Sequence, residues 1–188
     1  LIFDLDAVGW SPELLDLFDL SDEALPEIVA SDAIVGVTEL FGAPVPVTGL
    51  IVDQQAALLA QACLEAGTAK CTFGTGAFLL AQLDQAPLRS TAGLTTSVAW
   101  QLGQRTSYCI DGQVYTAASA IRWAIELGLV ASADQLDAVA APSSEGVVCV
   151  PAFAGLAAPW WNSKATASIT GMTLSSGREH VVRALLEG

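Results

Sequence analysis

Basic residues are scarce in this sequence. Its 188 residues include 7 Lys and Arg against 20 Asp and Glu, a formal charge of −13 at pH 7. Proteins that grip a phosphate backbone do so with clustered Lys and Arg, so the deficit excludes a nucleic-acid partner. Charge of either sign is sparse, at 14% of residues beside 53% hydrophobic ones. Disorder needs the opposite balance, so the chain folds. There is one histidine, His180, and the four cysteines, Cys63, Cys71, Cys109 and Cys149, form no CxxC pair. That leaves no metal-ligand spacing, and the cysteines are expected as free thiols buried among aliphatic neighbours. No apolar run reaches the roughly 18 residues of a membrane span. The N-terminus also lacks the basic flank and cleavage site of a signal peptide, so a soluble, cytoplasmic chain without membrane contact is expected. No GxSxG elbow occurs, and Ser175 and Ser176 lie too close to His180 for a Ser/His pair. A repurposed hydrolase is therefore the remotest alternative, and His180 is expected at the surface.

What is present alternates between strand and helix patterns. A chain of this length buries about 70% of the surface its unfolded form exposes, enough for one sizeable core or two small ones. Ser11 as N-cap and Pro12 at the first helical position predict a helix through SPELLDLFDL. Residues 26–46 read as loop with short β-branched runs, and TGLIV at 48–52 reads as a strand ending at Asp53. From Gln54 the Ala- and Leu-rich run QQAALLAQACLEAG predicts a helix closed by Gly67, with Asp53 as its N-cap. TAKCTFG and AFLLAQLD, joined by Gly74-Thr75-Gly76, precede two more strand-like runs at 94–103 and 105–112, a meander in outline. A helix over 116–127 stops at Gly128, and a second begins at Ser132 with Gln135 as its capping-box partner. EGVVCVPAFAG predicts a strand buried on both faces, SITGMTL another strand, and Ser176 with Glu179 a capping box opening a last helix. This order is α/β. The acids Asp16, Asp19, Asp22 and Glu23 are most simply a solvated face.

Two places offer chemistry on residue type alone. Asp53, at the end of a strand, suits a general base that takes a hydroxyl proton, and it equally suits a helix cap. The Gly74-Thr75-Gly76 link suits a backbone that aims amide hydrogens at an anion, and equally an ordinary hairpin turn. Trp160 and Trp161, after Pro159, suit stacking on a sugar or the packing of a corner.

VDQQAALLAQACLEAG followed by AKCTFGTGAFLL strongly resembles the glycerol kinase branch of the FGGY carbohydrate kinases. DGQVYTAASAIRW, VPAFAGLAAPWW and the opening FDLDAVGWSPELLDLF match later and earlier segments of that family in the same order. The resemblance implies a ribonuclease-H-like fold of the actin and hexokinase type, with the chain spanning the end of a first domain (1–58) and the first part of a second (59–188). It implies ATP and Mg2+ as cofactors and a small polyol or sugar as substrate. Asp53 would be the catalytic base, with Gln54 and Phe78 contacting the polyol. Gly74, Thr75 and Gly76 would hold phosphate, and Ala118 and Arg122 would stand near the nucleotide. On residue type alone Gln54 is an exposed first-turn residue and Phe78 is core filling.

The sequence departs from the family at several points. Ala118 stands where the family has glycine, Arg122 where glycerol kinases carry glutamine, and Val52 where a glycine precedes the base. NSKATASITG, with Asn162 and Lys164, replaces an aspartate-rich run. The chain begins at Leu1 instead of methionine, as an internal piece would, and the family's phosphate loop with its magnesium-associated acid is expected before it. The alternative to a kinase is therefore a truncated, inert relative that acts as a binding or assembly module. Apolar faces exposed on such a piece would favour homo-oligomers.

Overall fold

The computed structural model describes residues 2–188. They form two compact units whose segments alternate along the chain. The first consists of Leu1–Lys70, Leu80–Thr91 and Thr95–Asp111, the second of Cys71–Leu79, Ala92–Leu94 and Gly112–Gly188. Among the described residues no helix is long and apolar enough to cross a membrane.

The first unit opens with a hairpin of β1 (Phe3–Asp4) and β2 (Gly9–Trp10). The Asp4 carboxylate closes its turn by accepting the N–H groups of Ala7 and Asp6 at 3.0 and 2.8 Å. The bond from Ala7, then that from Asp6, holds the Asp4 carboxyl below the usual range, because both donors favour the anion. Helix α1 (Pro12–Leu17) starts as its sequence predicts, with the Ser11 hydroxyl accepting the Leu14 N–H at 3.3 Å. The acids at 16, 19, 22 and 23 are exposed. A second hairpin pairs β3 (Gly36–Thr38) with β4 (Val45–Val47).

The strand expected at 48–52 does not form. Leu50, Ile51 and Val52 are exposed, and among the described residues no strand pairs with them; without a partner there is no ladder to satisfy the backbone. Helix α2 (Asp53–Ala60) also stops short of Gly67. Cys63 N–H bonds the Leu58 carbonyl at 3.1 Å and Ala62 N–H bonds the Leu59 carbonyl at 2.9 Å. That is the Schellman closure, here with Ala62 at φ 56° in the left-handed place that glycine usually takes. Leu58 and Cys63, which flank this closure, are both buried.

Four strands form the main sheet: β5 (Ala69–Phe73), β6 (Ala77–Gln82), β7 (Thr95–Leu102) and β8 (Arg105–Val114). Their order is β5-β6-β8-β7, not the meander expected. β7 and β8 form a tight antiparallel hairpin with Leu102 opposite Arg105. The longer connection from β6 lets the chain step out to the edge and return down the middle. The inner place falls to β8, where Ser107, Tyr108 and Cys109 are buried. In the first unit the Tyr108 hydroxyl donates to the Leu5 carbonyl at 2.8 Å, tying the sheet to the opening segment.

The second unit contains α3 (Ala118–Glu126), which closes as predicted at Gly128, φ 80°. The helix expected at Ser132 splits into a 3-10 turn (Ala133–Gln135) and a short α4 (Leu136–Val139), and Ser132 makes no side-chain cap bond. β9 (Val148–Val150) pairs antiparallel with β10 (Ser168–Thr170). Only Cys149 of β9 is buried; Val148 and Val150 face outward, because a two-stranded sheet has one face on the core. Helix α5 (Arg178–Glu187) does not use the expected Ser176–Glu179 box. Instead Gly177 N–H donates to Nδ1 of His180 at 2.9 Å, so His180 is a half-buried capping residue and not a surface one. Ala124, Val130, Val147, Cys149 and Val182 lie at the centre of this unit's core.

Candidate functional site

Asp53 is exposed at the first residue of α2, following Val52 at the N-cap. It is not the cap that the sequence suggests. Its Oδ1 accepts the Gln54 backbone N–H at 2.8 Å, and its Oδ2 accepts Nε2 of Gln54 at 3.3 Å. One residue therefore satisfies both carboxylate oxygens. Half-buried Gln54 is tied down in turn, since its Oε1 accepts from Nζ of Lys70 at 2.6 Å. Lys70 is only 6% exposed, while Ala69 and Cys71 on either side face outward. Strand alternation puts the lysine inside. Sequence reasoning missed Lys70, and the one signal available was a lysine at the inward position of a strand in a chain poor in bases.

Cys109 lies on β8 within the same unit. Burial pushes its thiol up to about 11, the Asp111 carboxylate adds to the rise, and the Lys70 ammonium opposes it. Burial also raises the thiol of Cys149. All four cysteines are free; Cys63, Cys109 and Cys149 are buried as expected, but Cys71 is exposed. The thiolate is the nucleophile, and a thiol with this pKa is about one part in a thousand thiolate at pH 8. Iodoacetamide at pH 8 is therefore expected to label Cys71 first and Cys109 only after denaturation, read by peptide mass mapping. Early labelling of Cys109 would contradict its burial.

In the second unit the Gly74-Thr75-Gly76 link joins β5 to β6 and meets the first turn of α3. Gly74 N–H bonds the Gly76 carbonyl at 2.8 Å. The Gly74 carbonyl accepts the Ala118 N–H at 3.0 Å. The Thr75 carbonyl accepts the Ala117 N–H at 2.8 Å, the Ser119 N–H at 3.3 Å and the Ser119 hydroxyl at 2.9 Å. The amides that open α3 are thus spent on the carbonyls of this link. Thr75 itself is exposed. The two glycines differ: a Cβ on Gly74 would meet nothing nearer than the Gly76 carbonyl oxygen at 3.8 Å. One on Gly76 would fall on the Val114 carbonyl oxygen, with that of Tyr115 at 3.1 Å.

The structure therefore brings Gly74, Thr75 and Gly76 together with Ala118. Arg122 is exposed one turn further along α3, and Phe78 is half-buried on β6 just past the link. Asp53 and Gln54 belong to the other unit. A mainly apolar cavity of about 400 Å³ also lies in the second unit, lined by Tyr115, Thr116, Cys149, Pro151, Leu156 and Trp160 among others. Trp160, which the sequence offered as a sugar-stacking or corner residue, lines it, whereas Thr75, Phe78, Ala118 and Arg122 do not. Trp161 is pinned by its Nε1–H, which donates to the Gly93 carbonyl at 2.6 Å. Among the described residues no group of three or more His, Cys, Asp or Glu converges as metal ligands would.

The family model for the C-terminal domain of the FGGY family of carbohydrate kinases matches residues 69–188. Glycerol kinases of Alkalilimnicola ehrlichii and Thermus brockianus are 44% and 42% identical to the chain over its whole length. The crystal structure of Plasmodium falciparum glycerol kinase with ADP covers the whole chain at 35% identity and a TM-score of 0.87. A xylulose kinase from Rhodospirillum rubrum covers 99% of it at 27% identity and a TM-score of 0.78. In each comparison the chain spans 39% of the relative's own length.

Proposed function

Because the chain belongs to the FGGY family of carbohydrate kinases and has the actin- and hexokinase-type α/β fold of its solved relatives, we propose that it serves ATP-dependent phosphoryl transfer to a hydroxyl of glycerol or a related polyol or sugar. The observation that carries this is the Asp53–Gln54 pair at the start of α2, inside a stretch that aligns with glycerol kinases over the full chain. A primary hydroxyl is a weak nucleophile near neutral pH, so a carboxylate that takes its proton in the transition state assists attack. Asp53 is exposed and has both oxygens oriented by one neighbour, which suits it to that role.

ATP would supply the transferred γ-phosphoryl group, the acceptor oxygen bonding to phosphorus as the bond to the β-phosphate oxygen breaks. Gln54 keeps one amide hydrogen and one Oε1 lone pair beyond its two bonds, enough to meet a second hydroxyl of the acceptor. In the other unit Thr75 offers an exposed hydroxyl on a short glycine-flanked loop, and Phe78 an apolar face for the carbon side of a polyol. Ala118 and Arg122, on the first two turns of α3, would border the nucleotide. In this reading residues 1–58 close the first kinase domain and 59–188 open the second, and the C-terminal-domain match begins at residue 69.

The test is an ADP-release assay of the full-length protein with ATP and magnesium, against a panel of glycerol, xylulose, gluconate and other polyols. Acceptor-dependent ADP formation, greatest with glycerol, is the expected result. No acceptor-dependent release across the panel overturns the reading.

A further inference from the structure

We propose that Lys70 is a positioning residue that sets the direction of the Asp53 carboxylate through Gln54, and this rests on the kinase reading above. An ammonium has donors and no acceptor, so the 2.6 Å contact from Nζ decides which end of the Gln54 carboxamide faces it. The oxygen is drawn to Lys70. The Nε2 end is thereby turned the other way, toward Oδ2 of Asp53 at 3.3 Å. With the Gln54 backbone N–H on Oδ1 at 2.8 Å, the carboxylate is held at both oxygens. Without Lys70 the carboxamide could flip, and Oε1 would then face Oδ2, acceptor against acceptor. The buried lysine thus selects one of two amide orientations and passes that choice to the exposed acid.

Burial strengthens the device. Lys70 is 6% exposed, and a charge-assisted bond in a site shielded from water is shorter and stronger than a neutral one. Lys70 lies on β5 and Gln54 on the first turn of α2, so the bond ties the helix that bears the acid to the edge of the main sheet. All three residues belong to the first unit. The device runs from Lys70 through Gln54 to Asp53.

The test is a double-mutant cycle of Lys70→Met and Gln54→Ala in the full-length protein, read as kcat and the acceptor KM separately. Misplacing a reacting group costs roughly 10- to 100-fold in rate, so Lys70→Met is expected to lower kcat by about that factor while the acceptor KM moves much less. In the Gln54→Ala background the same change should cost almost nothing, since residues acting through one another are not additive. An equal loss in both backgrounds, or an unchanged kcat, overturns the proposal. The unaltered protein supplies a second readout, independent of activity and of whether a variant folds: hydrogen exchange of the Gln54 Nε2 protons measured by NMR. Protection well beyond that of exposed glutamines is expected, and exchange at their rate overturns the proposal. If the protein transfers no phosphate yet the Gln54 amide is protected, the kinase reading has failed and the clamp has not.

Discussion

Asp53→Asn is expected to cut kcat for acceptor phosphorylation by about 100- to 10,000-fold, the range that general-base assistance supplies. The amide matches the carboxyl in size but cannot take a proton from the attacking hydroxyl. Its own NH2 group also replaces one of the two oxygens that Gln54 now bonds, so at least one of the contacts at 2.8 and 3.3 Å is lost. The fold should tolerate this, because Asp53 is exposed and makes no N-cap bond. Melting temperature should stay close to that of the unaltered protein and the acceptor KM should change little. Steady-state ADP release with a parallel melt separates the outcomes. A kcat within a few-fold of the original would remove Asp53 from the chemistry while leaving the family assignment intact.

Gly76→Ala is expected to destabilise the second unit by about 3 kcal/mol, at the upper end of the usual cost of overpacking. The new methyl would fall on the Val114 carbonyl oxygen, close also to that of Tyr115, and both are backbone, with no side chain to swing aside. Gly74→Ala two residues earlier is the control. Its nearest non-neighbouring atom is 3.8 Å away, so it should shift the urea midpoint only slightly. Equal shifts for the two variants would mean that the link is loose, and that Gly76 is glycine for a reason other than close packing.

Much of the local punctuation was legible. Ser11 and Pro12 open α1, and Gly128 closes α3, because those residue types act through their own side chain or their own φ. The errors share a cause: a partner distant in sequence, or an unusual residue in a familiar role. Helix α2 ends through Ala62 in a left-handed conformation, which a search for glycine passes over. Helix α5 is capped by the ring nitrogen of His180, which a search for Ser and Glu passes over. The β5-β6-β8-β7 order depends on where a long connection travels, and nothing local encodes that. In the candidate site Asp53 and the Gly74–Gly76 link stood out by residue type, each beside a plainer reading as cap or turn, and Gln54 stood out through the family resemblance. Lys70 did not, since only the folded strand shows that it points inward at Gln54.

Helix α3 begins at Ala117 and Ala118, poor residues for opening a helix, and is served instead by carbonyl groups lent from Gly74 and Thr75. A stopper made of main chain has no side chain to lose. Point substitutions at 117 and 118 can therefore drift without uncorking the helix, whereas inserting or deleting one residue between 73 and 77 would carry the lending carbonyls out of reach. At 117 and 118 the junction is therefore guarded by the length of the link and not by which side chain stands there.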